Sequence, residues 1–141
     1  MSISKILAAK GFKVFSVNSE ATVYEALQLM GEKNIGALLI IDDEKLTGIL
    51  SEKDYARKII LKGKTSQDSL VSEIMTPNPI TISPSDNLDR CMEIMSEKHI
   101  RHLPVVENGK VVGMISIGDV VTQIITTQKE TIKHLHQYIN Q

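Results

Sequence analysis

The stretch GMISIGD at 113–119 places Gly113, Ser116 and Asp119 at spacings of three, and GILSEKD at 48–54 does the same with Gly48, Ser51 and Asp54. Ser-x-x-Asp ahead of an apolar run is the pattern of a helix capping box, in which the hydroxyl and the carboxylate satisfy each other's backbone amides. The same pair suits a second use. A carboxylate accepts two hydroxyl hydrogen bonds at once, which matches a diol. Amides at a helix N-terminus favour an anion, and Gly118 would let a ligand approach the backbone closely. Capping accounts for the Ser and the Asp, but not for the Gly three residues before the Ser.

These motifs sit inside a repeat. With the chain slid by the 65 positions that separate Asp54 from Asp119, segment 15–60 lies on 80–125 without a gap. Identities fall at Met30/Met95, Ile35/Ile100, Leu38/Leu103, Lys45/Lys110, Gly48/Gly113, Ser51/Ser116, Asp54/Asp119 and Ile59/Ile124, among others. Each copy reads as β-α-β-β-α. A short strand opens it, Phe15–Val17 or Ile80–Ile82. A helix follows with apolar residues at i, i+3, i+4 and i+7: Val23, Ala26, Leu27, Met30, and Leu88, Cys91, Met92, Met95. Two strands then flank a tight turn, Asp42–Lys45 or Glu107–Lys110, where Asn108-Gly109 signals a type I′ hairpin. The last helix starts near Asp54 or Asp119.

One such copy is small for an independent core. The expected arrangement is therefore a single module over 1–141, with repeats at 12–62 and 72–127 packed through their sheets as a pseudo-twofold pair. Ser72–Met75 mirrors Ser4–Leu7, so a helical lead-in precedes each copy. A polar linker, Lys62–Ser69, joins them. The tail Thr126–Gln141 carries Ile132, Leu135 and Ile139 on one helical stripe, of the kind that packs on its own core or on a partner copy.

The bulk numbers narrow the function. Of 141 residues 42 % are apolar and 4 % aromatic, with no tryptophan, so the core must be aliphatic. A net charge of −1 without any Lys/Arg block argues against a nucleic-acid binder. The longest apolar runs, such as Ala37–Ile41, fall far short of the ~18 residues of a membrane helix, and the N-terminus lacks the apolar length of a secretory signal. The single cysteine, Cys91, cannot form an internal disulfide, which makes a reducing cytoplasm the default compartment. No nucleophile elbow, Gly-rich phosphate loop or paired carboxylates point to catalysis, so no enzyme and no catalytic cofactor are expected. His134 and His136 project about 200° apart on a helix, the wrong spacing for a shared metal. No metal site is expected.

On NIGALLIIDDEKLTGILSEKD (34–54), HIRHLPVVENGKVVGMISIGD (99–119) and SEIMTPNPITI (72–82), the sequence resembles a tandem pair of cystathionine-β-synthase (CBS) domains over almost its whole length. The resemblance implies a mixed α/β (α+β) fold of two CBS repeats. It also implies a regulatory module that binds an adenosine nucleotide (AMP, ADP, ATP or NAD) between the repeats, forms a homodimer and acts on a protein not named by the sequence. The rival expectation is a structural dimerisation module with degenerate clefts.

By that resemblance Asp119 and Asp54 take the ribose, with Ser116 and Ser51 beside them. Arg101, His102 and Gly118 face the phosphates. In the first copy Gly36-Ala37 stand where Arg101-His102 stand in the second, and Leu39 where Pro104 stands, so Lys53 and Arg57 would have to supply its charge. The base slot implied around Asp119 is Thr76, Pro79, Ile80 and Ile100, and around Asp54 it is Phe15, Ile35 and Ala37. The two clefts are expected to be unequal, with Asp119 the better ribose holder.

Overall fold

The computed structural model describes residues 1–139. Helix α1 (Ile3–Lys10) leads into strand β1 (Ser16–Val17), helix α2 (Val23–Lys33) and the hairpin β2 (Ala37–Asp42) and β3 (Lys45–Ser51). The first repeat closes with α3 (Glu52–Tyr55), which continues as a π-helical turn over Ala56–Ile60. The second repeat follows with α4 (Val71–Ile74), β4 (Thr76–Pro77), α5 (Leu88–Lys98), the hairpin β5 (His102–Glu107) and β6 (Lys110–Ser116), and α6 (Ile117–Ile139). The fold is mixed α/β, in two repeats.

Local chemistry sets the element ends. Thr22 and Asn87 cap α2 and α5 by accepting the amides of Glu25 and Arg90. Both hairpin turns put their two central residues at positive φ, Asp43 and Glu44 in the first and Asn108 and Gly109 in the second. That is the type I′ geometry that Asn-Gly favours.

β1 pairs parallel to β2 through Ser16 and Val17, one residue shorter than the expected Phe15–Val17. The second copy departs further: the expected strand Ile80–Ile82 shrinks to one bridge, Ile82 to Val105. The reason is chemical. Leu39 donates its amide to the Phe15 carbonyl, whereas its counterpart Pro104 has no N–H to offer. Consequently β1 to β4 form a four-stranded sheet, and β5 and β6 a two-stranded one.

Each lead-in helix packs on the other half of the chain. Ile3, Ile6 and Leu7 of α1 are buried with Cys91, Met95, Leu103, Val105, Ile115 and Val120 of the second repeat. Val71 and Ile74 of α4 are buried with Val23, Ala26, Met30, Leu38, Leu50 and Ile59 of the first. Matching hydrogen bonds hold both. The Leu88 amide donates to the Met1 carbonyl and the Ile3 amide to Asp86, as Val23 does to Ser69 and Val71 to Ala21. Burying each such aliphatic side chain is worth about 1.5–3 kcal/mol, so the crossed helices tie the repeats into one module.

The crossing also explains the glycine that capping left over. A Cβ at Gly113 would lie 2.7 Å from Leu7 Cδ2, and one at Gly48 would lie 2.9 Å from Met75 Cγ and nearer still to its sulfur. Leu7 and Met75 are equivalent positions of the two lead-ins. The glycines let these side chains seat on β6 and β3. The linker is pinned rather than loose, because the Tyr24 and Val23 amides bond the Ser66 and Ser69 carbonyls and Ser69 is buried.

Candidate functional site

β6 ends at Ser116 and α6 begins at the next residue, so the motif sits where a strand runs into a helix N-terminus. The Ser116 amide donates to Asp119 Oδ2 at 2.8 Å, and the Asp119 amide donates to Ser116 Oγ at 3.1 Å. This is the capping box. Two further residues join it. Lys10, the last residue of α1, places Nζ 2.6 Å from Asp119 Oδ2 and 2.6 Å from the Met114 carbonyl oxygen. Across the hairpin, His102 pairs in register with Ser116, and the Ile117 amide donates to the Arg101 carbonyl at 2.8 Å. The structure thus gathers Lys10, Arg101, His102, Ser116 and Asp119 at one corner of the second repeat.

The electrostatics follow from that packing. Burial pushes the Asp119 carboxyl upward, but the Lys10 hydrogen bond, the Ser116 amide, the Lys10 charge and the Ser116 hydroxyl bring it below its ordinary value. His102 is lowered, chiefly by burial. Asp119 and Glu52 pull it up while Lys10 and Arg101 push it down, so the ring stays neutral at neutral pH. His102 Cε1 lies 3.8 Å from where a Cβ on Gly36 would be, and Glu52 Oε2 lies 4.0 Å from the same point. His102 therefore reaches across to the first repeat, and a Cβ at 36 would meet it at ordinary van der Waals distance. Gly118 has only Ser116 Oγ near its missing Cβ, at 3.6 Å, so packing within the chain does not demand glycine there.

The first repeat builds the same corner differently. Ser51 and Asp54 form a second capping box, with Ser51 N and Oγ at 3.0 and 3.1 Å from Asp54 Oδ2. Lys58 lies 3.3 Å from Asp54 Oδ1 and donates to the Ile74 carbonyl. Asp54 Oδ1 thus has an ion-pair partner in Lys58, although among the described residues neither it nor Asp119 Oδ1 accepts a hydrogen bond. Lys53 is exposed on α3 and Arg57 is exposed on the π-helical turn. Ala37, which occupies the His102 position, is fully buried in β2.

The residues expected around the base are spread out. Thr76 pairs with Ile49 of the first repeat. Pro79 lines a depression with Lys45, Leu46, Val106 and Gly109, at the hairpin-turn ends of the strands rather than the ends that carry Ser51 and Ser116. Ile80 lines an open groove of about 530 Å³ over α5, together with Arg90, Glu97 and Lys98. Ile100 packs on the second core, and Ile35 and Phe15 on the first. Lys13 and Lys33 place their ammonium groups 5.2 and 5.4 Å from the Phe15 ring centroid.

Two residues at these corners, Lys10 and Lys58, lie outside the sequence motifs, and a third, Glu52, lies inside GILSEKD but is not one of its Gly, Ser and Asp positions. Lys58 carries a readable signal, being four residues after Asp54 on one helix. Lys10 and Glu52 carry none. Cys91 is buried, and burial followed by the Asp119 charge pushes its thiol up to about 11. Among the described residues no group of three or more His, Cys, Asp or Glu could hold a metal ion, and no helix is long and apolar enough to cross a membrane.

A family model described as the CBS domain matches residues 9–61 and again 71–126. The chain belongs to the CBS domain family. It is similar to the CBS domain-containing protein CBSX3, mitochondrial, of Arabidopsis thaliana, at 36 % identity over 97 % of this chain and 71 % of that protein. Among solved structures, a protein with CBS domains from Burkholderia ambifaria superposes with a TM-score of 0.88 at 43 % identity, covering 91 % of this chain and 96 % of the other. The CBS domain pair of protein MJ0100 superposes with a TM-score of 0.79 at 28 % identity, over 88 % of this chain and 99 % of that one. That pair is in complex with 5′-methylthioadenosine and S-adenosyl-L-methionine. A tandem CBS pair is thus the setting of both corners described above.

Proposed function

We propose that this CBS pair is a regulatory binding module, not an enzyme, and that it takes an adenosine nucleotide such as AMP or NAD at the Asp119 corner. One observation carries the reading. Asp119 is held through Oδ2 by Ser116 and Lys10, while among the described residues Oδ1 accepts no hydrogen bond. A fixed carboxylate with a spare oxygen suits a ribose diol. Ser116 and the α6 amides lie beside it, Arg101 and His102 supply groups for phosphate, and Gly118 leaves the backbone open to approach. Of the residues expected around the base, Ile100, next to Arg101 in the chain, is the candidate at this corner, whereas Thr76 pairs with the first repeat and Pro79 lies at the hairpin-turn ends of the strands. Adenosine-type ligands in the MJ0100 pair support the same class. The Asp54 corner, with Lys58 on its second oxygen, is the weaker one, and Lys53, Ser51, Phe15 and Ile35 would serve it, Ala37 being fully buried. Calorimetric titration with AMP, ADP, ATP and NAD tests the proposal. Binding of one of them, lost in Asp119→Ala, is the expected result, and no heat and no thermal stabilisation from any of them at millimolar concentration would overturn it.

The partner we propose for the rest of the surface is a second copy of the chain. On α6, Val121, Ile125, Ile132, Leu135 and Ile139 are 46–77 % exposed. With Gln128 they run at spacings of 4, 3, 4, 3 and 4, which is a coiled-coil seam. Ile at 125, 132 and 139 and Leu at 135 fall in the a and d positions that favour two parallel strands. Occupied or empty, the dimer presents a different face to the protein it regulates. The compartment proposed is the reducing cytoplasm, which cell fractionation would test against the mitochondrial name of the Arabidopsis relative.

A further inference from the structure

We infer that Lys10 is the phosphate-reading residue of the Asp119 corner and makes the module prefer a phosphorylated nucleoside over a bare one. The inference rests on the adenosine-ligand reading above and names a determinant of its specificity. An ammonium has three N–H donors and no acceptor. Two of those on Lys10 are spent on fixed acceptors, Asp119 Oδ2 and the Met114 carbonyl, each at 2.6 Å. These contacts hold Nζ beside the carboxylate that would grip the ribose. Among the described residues the third donor has no partner, and the side chain is 32 % exposed, so solvent and ligand can reach it. A group bonded to the ribose is a short reach from the ribose hydroxyls, so a phosphate there comes within range of a cation that is already positioned.

The origin of Lys10 fits this role. It arrives on α1, buried against the second repeat through Ile3, Ile6 and Leu7, so its backbone is fixed by the core and only its stem is free. The first corner holds its lysine differently: Lys58 comes from its own repeat rather than from a lead-in helix, with Nζ 3.3 Å from Asp54 Oδ1 and 2.9 Å from the Ile74 carbonyl oxygen. Asn78 occupies the equivalent lead-in position, and its recorded contact is an amide hydrogen bond to the Thr47 carbonyl. Arg101, exposed at the start of the hairpin, is the other positive charge at this corner. Glu52, which shares the neighbourhood of Gly36 with His102, is the carboxylate that opposes an anion. A ligand carrying a sulfonium instead of a phosphate would meet Lys10 and Arg101 as like charges.

The test compares affinities for AMP and adenosine in the wild type, Lys10→Gln and Lys10→Arg. Gln keeps a donor near the carboxylate and removes the charge. The expected result is a fall of about tenfold in the AMP-over-adenosine preference for Lys10→Gln, with adenosine affinity nearly unchanged and the preference largely restored in Lys10→Arg. A purely structural tie between α1 and α6 would lower the melting temperature of Lys10→Gln and shift both ligands equally, and that result overturns the inference. If the wild type binds AMP and Lys10→Gln keeps the full preference, the inference alone falls. If the wild type binds neither AMP nor adenosine, the adenosine reading falls and takes this inference with it.

Discussion

At the scale of single residues, Asp119 and Asp54 look alike in sequence and differ in what their second oxygen meets. Asp119→Ala and Asp54→Ala should each remove half of a capping box, at a cost of about 1 kcal/mol in urea unfolding. Their effects on nucleotide affinity should diverge, with a loss above about a hundredfold for Asp119→Ala and a change within about threefold for Asp54→Ala, each read by calorimetry. The Asp119 carboxyl also ties stability to pH. Its folded-state pKa is depressed, so its contribution is complete above the ordinary carboxylate value of about 3.9 and is lost as pH falls through the folded value. The gap in melting temperature between wild type and Asp119→Asn should therefore narrow on acidification from about pH 5 to about pH 2.5. His102 works on a different window. Burial favours its neutral ring, opposed by Asp119 and Glu52 and aided by Lys10 and Arg101. A bound phosphate would raise its pKa, so AMP binding should take up a proton and strengthen as pH falls from about 8 to about 6. In His102→Gln that part of the pH dependence should vanish, leaving only the titration of AMP itself. The neighbourhood of Ser116, Asp119 and His102 was readable from the hairpin register. Lys10 was not, because it lies 109 residues from Asp119 and belongs to no motif.

At the scale of elements, the repeat made most of the fold legible. An ungapped register over both copies fixes two helices and two hairpins, because helical spacing and turn chemistry agree in each copy. Two features escaped it. The loss of the Ile80–Ile82 strand follows from a single proline on the neighbouring strand, where the backbone lacks the needed donor. The crossing of the lead-in helices escaped for a deeper reason. A helix of eight residues such as α1 draws its stability from where its apolar face docks, and either repeat offers an aliphatic face. The glycine before each Ser was the one sign of the docking in the sequence. Gly113→Ala tests it directly. The added methyl meets Leu7 at 2.7 Å, so the change should cost about 1–3 kcal/mol. Leu7→Ala costs stability by leaving a cavity, and combined with Gly113→Ala it should be less damaging than the sum of the two changes, since the new methyl then has space. Additive losses in urea unfolding would show that α1 does not press on β6 at that point.

At the scale of the whole molecule, α6 sets the shape. Its first turn closes the Asp119 corner, and its later turns run clear of the repeats, with every residue from Thr126 to Ile139 exposed. The stripe noted in the sequence does not pack on the core of its own chain. A helix that is apolar along one face and unpartnered is stable when something covers that face, and its residues choose the cover. Val121, Ile125, Gln128, Ile132, Leu135 and Ile139 fill the positions of a two-stranded seam about 27 Å long, with Ile at each of three a positions, and a parallel pair is what a twofold axis along the helices produces. Ile132→Glu with Leu135→Glu places two like charges per chain in the centre of that seam. Sedimentation velocity should show the wild type as a dimer at micromolar concentration and the double variant shifted to monomer. Because both sites lie more than three helical turns from Asp119, the affinity of the isolated monomer for AMP should stay within about threefold of the wild type. A variant that remains dimeric would move the interface to the repeats themselves, where Ile60 and Leu61 are also exposed. A monomer that no longer binds AMP would mean that the second copy completes the nucleotide site.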